Sequence, residues 1–182
     1  NGKSKENSGT GNLGIKESTI AIAEGPMFYV TNTSVNVDLE NVKFGFAKDA
    51  PLAEVVAGDW GEAGKNGGNL VLNAEQQHLE GDIVVDAISS VKFDMGSKVT
   101  YKGAINPNKQ GTAVVVMDKT SKWTLAADSY LESIQFEKTV EKGIKQINSK
   151  GYNIYYNPKN PANAALAGKT YPLKGGGLLL TY

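Results

Sequence analysis

The octapeptide Asp94 to Tyr101, DMGSKVTY, returns 24 residues later as Asp118 to Leu125, DKTSKWTL. Asp, Ser, Lys and Thr recur at the same offsets, and Val99/Trp123 and Tyr101/Leu125 exchange one apolar residue for another. A second echo has an offset of 22, with Tyr101-Lys-Gly-Ala-Ile105 restating Leu79-Glu-Gly-Asp-Ile83. Repeats of about 20 to 50 residues signal stacked architectures, in which one unit cannot bury its apolar face alone. Here the unit alternates apolar and polar residues with period 2, as in Val91-Lys-Phe93-Asp-Met95 and Ser97-Lys-Val99-Thr-Tyr101, and that is the pattern of half-buried strands. A unit of 22 to 24 residues holding two or three short strands matches one coil of a single-stranded parallel β-helix, whose coils stack at about 4.8 Å.

Stacking assigns an inside and an outside. Val91, Phe93, Met95, Val99 and Tyr101 are expected inside, with Val115, Met117, Trp123 and Leu125 in the next coil, and Lys92, Asp94, Lys98 and Thr100 are expected at the surface. The offset of 24 also places Ser97 over Ser121, as a polar step near a corner, and Asp94 over Asp118.

The 182 residues suffice for one domain with a substantial core, and 21 glycines with Asn-rich turns suit many short strands. There is no cysteine, and all 19 basic residues are lysine. Without Arg the chain lacks the usual bidentate ligand for phosphates, and with zero net charge and no basic block a nucleic-acid partner is not expected. No apolar run is long enough to span a membrane. Residues 1 to 12, NGKSKENSGTGN, read as a polar tail or linker, and such a tract is what remains when a secretory or lipoprotein leader is removed. The β-helix domain is then expected over 13 to 182.

A first strand is expected over Ile15 to Ala23, followed by a turn at Gly25-Pro26, the run Met27 to Val30, and alternation at Val35, Val37 and Leu39. The pattern stops from Ala47 to Gly68, AKDAPLAEVVAGDWGEAGKNGG, an excursion too long for a corner. Such excursions from a rigid scaffold are frequent ligand contacts; the plainer expectation is an insertion whose Leu52, Val55, Val56 and Trp60 pack on the helix flank. Coils resume at Leu70. Lys138 to Lys145 should form a loop or one helical turn, and two short strands, at Thr170 to Leu173 and Leu178 to Tyr182, end the chain.

The stretches GPMFYVTNTSVNVDLENVKF, NGGNLVLNAEQQHLEGDIVVDAISSV, SKWTLAADSYLESI, NSKGYNIYYN and GKTYPLKGGGLLL, spread over residues 25 to 180, resemble a bacterial, clostridial-type carbohydrate-binding β-helix family related in fold to pectate-lyase-like and adhesin β-helices. The resemblance implies right-handed parallel coils, an extracellular or cell-surface protein, Ca²⁺ as a cofactor, and binding to acidic or plant cell-wall polysaccharide. Its motifs are turn and core residues, so it speaks to fold more than to chemistry.

Asp94 stacked on Asp118 would place two carboxylates about 5 Å apart, a candidate Ca²⁺ site; a surface ladder neutralised by Lys98 and Lys122 is the plain alternative. For a glycosidase, which needs two flanking carboxyls, Asp82, Asp86, Asp94, Asp118 and Asp128 offer pairings but no local motif. A lyase of the pectate type would need Lys92, Lys98 or Lys122 as base, and solvent-facing lysines lack the desolvation that lowers their pKa. His78, the one histidine, is expected at the surface, with no partner for zinc or a triad. Sugar rings stack on flat aromatic side chains while their hydroxyls meet carboxylates and amides. Trp123 belongs to the core by its repeat position, whereas Trp60, with Asp59 and Glu62 beside it, is the main ligand-contact candidate, followed by Tyr130 with Asp128, and by Tyr155. The expectation is a non-enzymatic polysaccharide binder, with a surface adhesin or structural stalk that takes protein or host glycan as the alternative and a polysaccharide lyase or hydrolase as the second alternative.

Overall fold

The computed structural model describes residues 9–47 and 49–182. It is a parallel β-solenoid of about seven turns with coils of about 24 residues. The first coil contains β1 (Thr10–Lys16), β2 (Thr19–Ala21) and β3 (Phe28–Val30), and the second contains β4 (Ser34–Glu40), β5 (Lys43–Gly45) and β6 (Ala53–Val55). The third holds β7 (Asn69–Glu75), β8 (His78–Glu80) and β9 (Ile83–Val85), and the fourth β10 (Ser90–Met95) and β11 (Thr100–Lys102). The fifth holds β12 (Thr112–Met117), β13 (Lys122–Thr124) and β14 (Ser129–Leu131). The sixth runs through β15 (Ser133–Phe136), the single turn α1 (Val140–Gly143), β16 (Ile147–Asn148) and β17 (Ile154–Tyr156). The chain closes with β18 (Tyr171–Pro172) and β19 (Leu178–Thr181).

Three faces result. The widest is the six-stranded sheet β1-β4-β7-β10-β12-β15; the second carries β2-β5 and β8-β11-β13-β16; the third carries β3-β6-β9 and β14-β17-β19. All rungs are parallel except β18, which turns back antiparallel on β19. Apolar residues at alternate positions make the core because the period-2 alternation puts them on one side of every strand. On the wide face Leu72, Phe93, Val115 and Ile134 stand in one column, all essentially buried. On the second face Leu79, Tyr101, Trp123 and Ile147 form another.

The two large aromatics in that column bury polar atoms, and each finds a backbone partner, as a buried donor must. Tyr101 Oη lies 2.9 Å from the Gly81 carbonyl and 3.0 Å from that of Ala104, and Trp123 Nε1 donates to the Gly103 carbonyl at 2.9 Å. Complete burial pushes the Tyr101 phenol well above its ordinary pKa, so it stays a donor.

The register differs from the one suggested by DMGSKVTY. β10 pairs with β12 so that Asp94 faces Val116 and Met95 faces Met117, and β11 pairs with β13 so that Tyr101 faces Trp123. The coil step here is 22 residues, the offset of the weaker echo. Steps of 22 and 24 differ by one strand period, so both keep the same residues inside; the fit of Phe93 against Val115 and Tyr101 against Trp123 selects between them. Ser121 is buried as expected, but opposite the Val99 position rather than Ser97.

Three boundaries shift. β1 starts at Thr10, inside the stretch read as a tail, because Thr10 to Lys16 pairs with Ser34 to Glu40; residues 1–8 lie outside the described residues. The first strand expected over Ile15 to Ala23 divides at Glu17, whose φ of 47° turns the corner. The excursion from 47 to 68 is two insertions separated by β6. Leu52, Ala53 and Val55 are fully buried, and β6 pairs with β3 and β9, so this segment is a core rung and not a flank. Both insertions fall in the coil where successive rungs are 35 residues apart, against 24 in the coil before it and 21 in the one after.

The last coil is covered. After β17 a 3₁₀ segment, Pro161–Leu166, starts at Asn160, whose side chain accepts from the Ala162 N–H. Asn163, almost wholly buried, accepts from the Ile134 N–H of β15 and donates to the carbonyls of Glu132 and Asn157. One amide thus takes up an N–H on the outer edge of β15 that the ladder leaves free.

Phe93→Ala is expected to destabilise the protein by about 3–5 kcal/mol, as large core truncations do, whereas Asp94→Ala beside it should stay within about 0.5 kcal/mol. Denaturant midpoints of the two variants read the difference directly.

Candidate functional site

Trp60 sits on the second of the two insertions and is 54 % exposed, in contrast to Trp123 at 0 %. The loop is held by specific bonds. Asn66, largely buried, donates from Nδ2 to the Gly58 carbonyl at 2.6 Å and to the Trp60 carbonyl at 3.2 Å. The Asn66 carbonyl in turn accepts from the Asn32 N–H. Asp86, one coil on, accepts from the Ala57 N–H at 2.6 Å. Partial burial opposes ionisation of Asp86, but hydrogen bonds from Ser89 and the backbone N–H groups of Ala57 and Ile88 outweigh it and hold the carboxyl below its ordinary range.

Glycine makes the loop's seat possible. A Cβ on Gly58 would stand 2.5 Å from Thr31 Oγ1 and 3.3 Å from Trp60 Nε1. Thr31 Oγ1 is itself buried without a hydrogen-bond partner. Asp59 and Glu62 are both exposed, and Glu62 forms an ion pair with Lys65 at 3.0 Å. The loop therefore presents an open indole with carboxylates adjacent in sequence, on a base tied to two coils.

The Tyr130 ring is stacked on Tyr155, 4.7 Å away and 6° from parallel, and the Lys109 ammonium lies over it at 5.3 Å. The parallel pairing of β14 with β17 puts the two tyrosines in one outward column. Asp128 Oδ1 accepts from the Asn153 N–H at 2.8 Å, in the same way that Asp82 accepts from the Ala104 N–H. These aspartates tie a corner to the next coil.

Asp94 and Asp118 are not brought together. Asp94 pairs with Lys92 at 2.9 Å and lies between Asn73 and Val116 in the ladder. Asp118 accepts from the N–H and hydroxyl of Thr120. Slight burial opposes its ionisation, but the Thr120 bonds, with Glu137 and the Lys119 N–H, hold its pKa down at about 2. Among the described residues no group of three or more His, Cys, Asp or Glu could hold a metal ion. These donors do not fit Ca²⁺, which takes six to eight oxygens. His78 is exposed, with Nδ1 2.9 Å from Thr100 Oγ1. Lys98 occupies a left-handed corner position, φ 58°.

Two concave surfaces were not anticipated. One, of about 710 Å³, is lined by Phe46, Ala47 and Asp49 to Pro51 on one side and by Glu80, Asp82 and Lys102 on the other; Lys102 and Glu80 neutralise each other at 2.6 Å. The other, of about 540 Å³, is lined by five lysines from the last coils. No stretch of the sequence marks this second groove, because its lysines are far apart along the chain and only the coil step collects them.

Comparison with family models, with curated proteins and with solved structures returned no match. No helix among the described residues is long and apolar enough to cross a membrane.

For Asp118, a folded pKa below the ordinary 3.8 means that its ionised form stabilises the fold above pH 3.8, and that this contribution is lost as pH falls toward about 2. Acid titration of Asp118→Asn should therefore show a shallower loss of stability between those limits than the parent protein. Equal slopes would contradict the assigned hydrogen bonds. At Gly58 the close approach predicts that Ala displaces the Trp60 loop, seen as a change in Trp fluorescence while the β-sheet circular dichroism is unchanged.

Proposed function

We propose that this chain is a non-enzymatic polysaccharide-binding solenoid of the cell exterior or surface, with the Trp60 loop as its sugar contact. The observation that carries the reading is the exposure of Trp60, at 54 %, on a loop anchored through Asn66 and Asp86. An exposed indole on a fixed base offers an apolar plane for a pyranose ring at little ordering cost. Asp59 and Glu62 supply acceptors for ring hydroxyls.

The resemblance to the clostridial-type carbohydrate-binding β-helices supports the same reading at the level of sequence and is the basis for the exterior location. Several features count against the lyase or hydrolase alternative. Asp82, Asp86 and Asp128 are engaged with backbone N–H groups, and the carboxyls of Asp86 and Asp118 are shifted down, away from the raised pKa of a general acid. Calcium is assigned no site in this reading.

Retention on a panel of immobilised polysaccharides, measured with and without chelator, tests the proposal. The parent protein is expected to be retained by at least one polysaccharide with or without chelator, and Trp60→Ala to lose tenfold or more of that affinity with an unchanged melting temperature. Undiminished affinity in Trp60→Ala would remove the loop from the site. Retention by protein-coated surfaces alone would favour the adhesin, and release of unsaturated uronides would establish a lyase.

A further inference from the structure

We infer that the lysine-lined groove of the last coils recognises the anionic groups of an acidic polysaccharide, carboxylate or sulfate. The groove is formed by the corner Lys119 to Ser121, by β13 and β16, and by the segment after α1. Lys119, Lys122, Lys138, Lys145 and Lys174 line it, and no carboxylate does. The parallel ladder explains the gathering. Thr124 stacks on Asn148, and Asn148 on Lys174, while Lys122 projects from the same strand as Thr124.

What sets this groove apart is the gathering of five lysines in one concavity with no carboxylate in its lining. Lys16, Lys92 and Lys102 are each matched to a carboxylate at 2.6 to 2.9 Å. Within the groove only Lys119 has such a partner, Glu137, and at 3.9 Å. Among the described residues Lys122, Lys138, Lys145 and Lys174 have no ion pair. Asp118 and Glu137 stand at the rim, and Asp118 is committed to Thr120. Ammonium groups of one sign around a concavity raise the local concentration of anions.

The remaining lining is suited to hydroxyls. Thr120, Thr124 and Asn148 offer neutral donors and acceptors. Gln146 uses Nε2 on the carbonyls of Asp118 and Ser121, which leaves Oε1 buried and without a partner. Charge plus hydroxyl recognition in a volume of about 540 Å³ fits one or two charged sugars of a chain. This inference rests on the polysaccharide reading but on a surface separate from Trp60.

The test compares Lys122→Gln/Lys145→Gln/Lys174→Gln, a control Lys43→Gln/Lys159→Gln/Lys169→Gln at exposed lysines outside the groove, and the parent protein on immobilised polygalacturonate, dextran sulfate and uncharged dextran, with single-stranded DNA as a non-sugar polyanion. The parent is expected to be retained by one or both acidic polysaccharides in preference to the DNA, with retention falling at least tenfold between 50 and 300 mM NaCl, about the screening range for exposed charges. The triple variant should lose tenfold or more of that retention with an unaltered melting temperature, and the control variant should keep most of it. Unchanged retention in the triple variant, an equal loss in the control variant, no retention of the parent by either acidic polysaccharide, or equal retention by DNA would overturn the inference.

Discussion

Every other feature depends on the coil-to-coil ladder, which requires each inward side chain to land on its counterpart one rung away. Leu72, Phe93, Val115 and Ile134 meet that condition on the wide face, and Leu79, Tyr101, Trp123 and Ile147 on the second. A single coil has neither its own core nor partners for its backbone, so the rungs stabilise one another or not at all. The number of residues between rungs is constrained only through the corners. That is why a coil of 35 residues can sit next to one of 21: the added residues leave the strands at a corner and return, and longer loops cost little more entropy than short ones.

Corners carry their own requirement, since N–H and carbonyl groups that leave the ladder still need partners. Polar side chains meet it. Gln77, almost fully buried, brackets the N–H and carbonyl of Val42 like a missing peptide. Asp82, Asp86 and Asp128 accept from N–H groups of adjacent coils, and Asn106 and Asn163 close two more corners. Many residue types that suggest chemistry in a sequence are thereby taken up in holding the solenoid together.

Alternation alone decided the fold class from sequence, because Val91, Phe93 and Met95 can face inward together only on a strand. It could not decide register. The strong echo between Asp94 and Asp118 and the weak one between Leu79 and Tyr101 have the same parity, so alternation does not separate them; the weak echo is the structural one. Trp60 was legible as the aromatic outside the repeat. The extent of its loop was not, since Leu52, Ala53 and Val55 are too short a run to announce a rung without the strands of the neighbouring coils. The stacking of Tyr130 on Tyr155 was not legible, because a sequence does not say that the two strands will lie on adjacent rungs.

The lysine groove was hidden for a related reason, and its chemistry also qualifies the reading of composition. Without Arg the chain lacks the planar bidentate contact for phosphates. Lysine offers a compact charge on a flexible stem, so a set of lysines reads the spacing of charges more than the shape of any one group. Lys122, Lys145 and Lys174 come from three successive passes of the chain, and the parallel stacking of Thr124, Asn148 and Lys174 brings those passes together. Net charge, being zero for the whole chain, conceals this because it does not say where along the solenoid the charges of each sign gather. The same ladder that commits aspartates to backbone N–H groups thereby also brings five lysines into one concavity of the last coils.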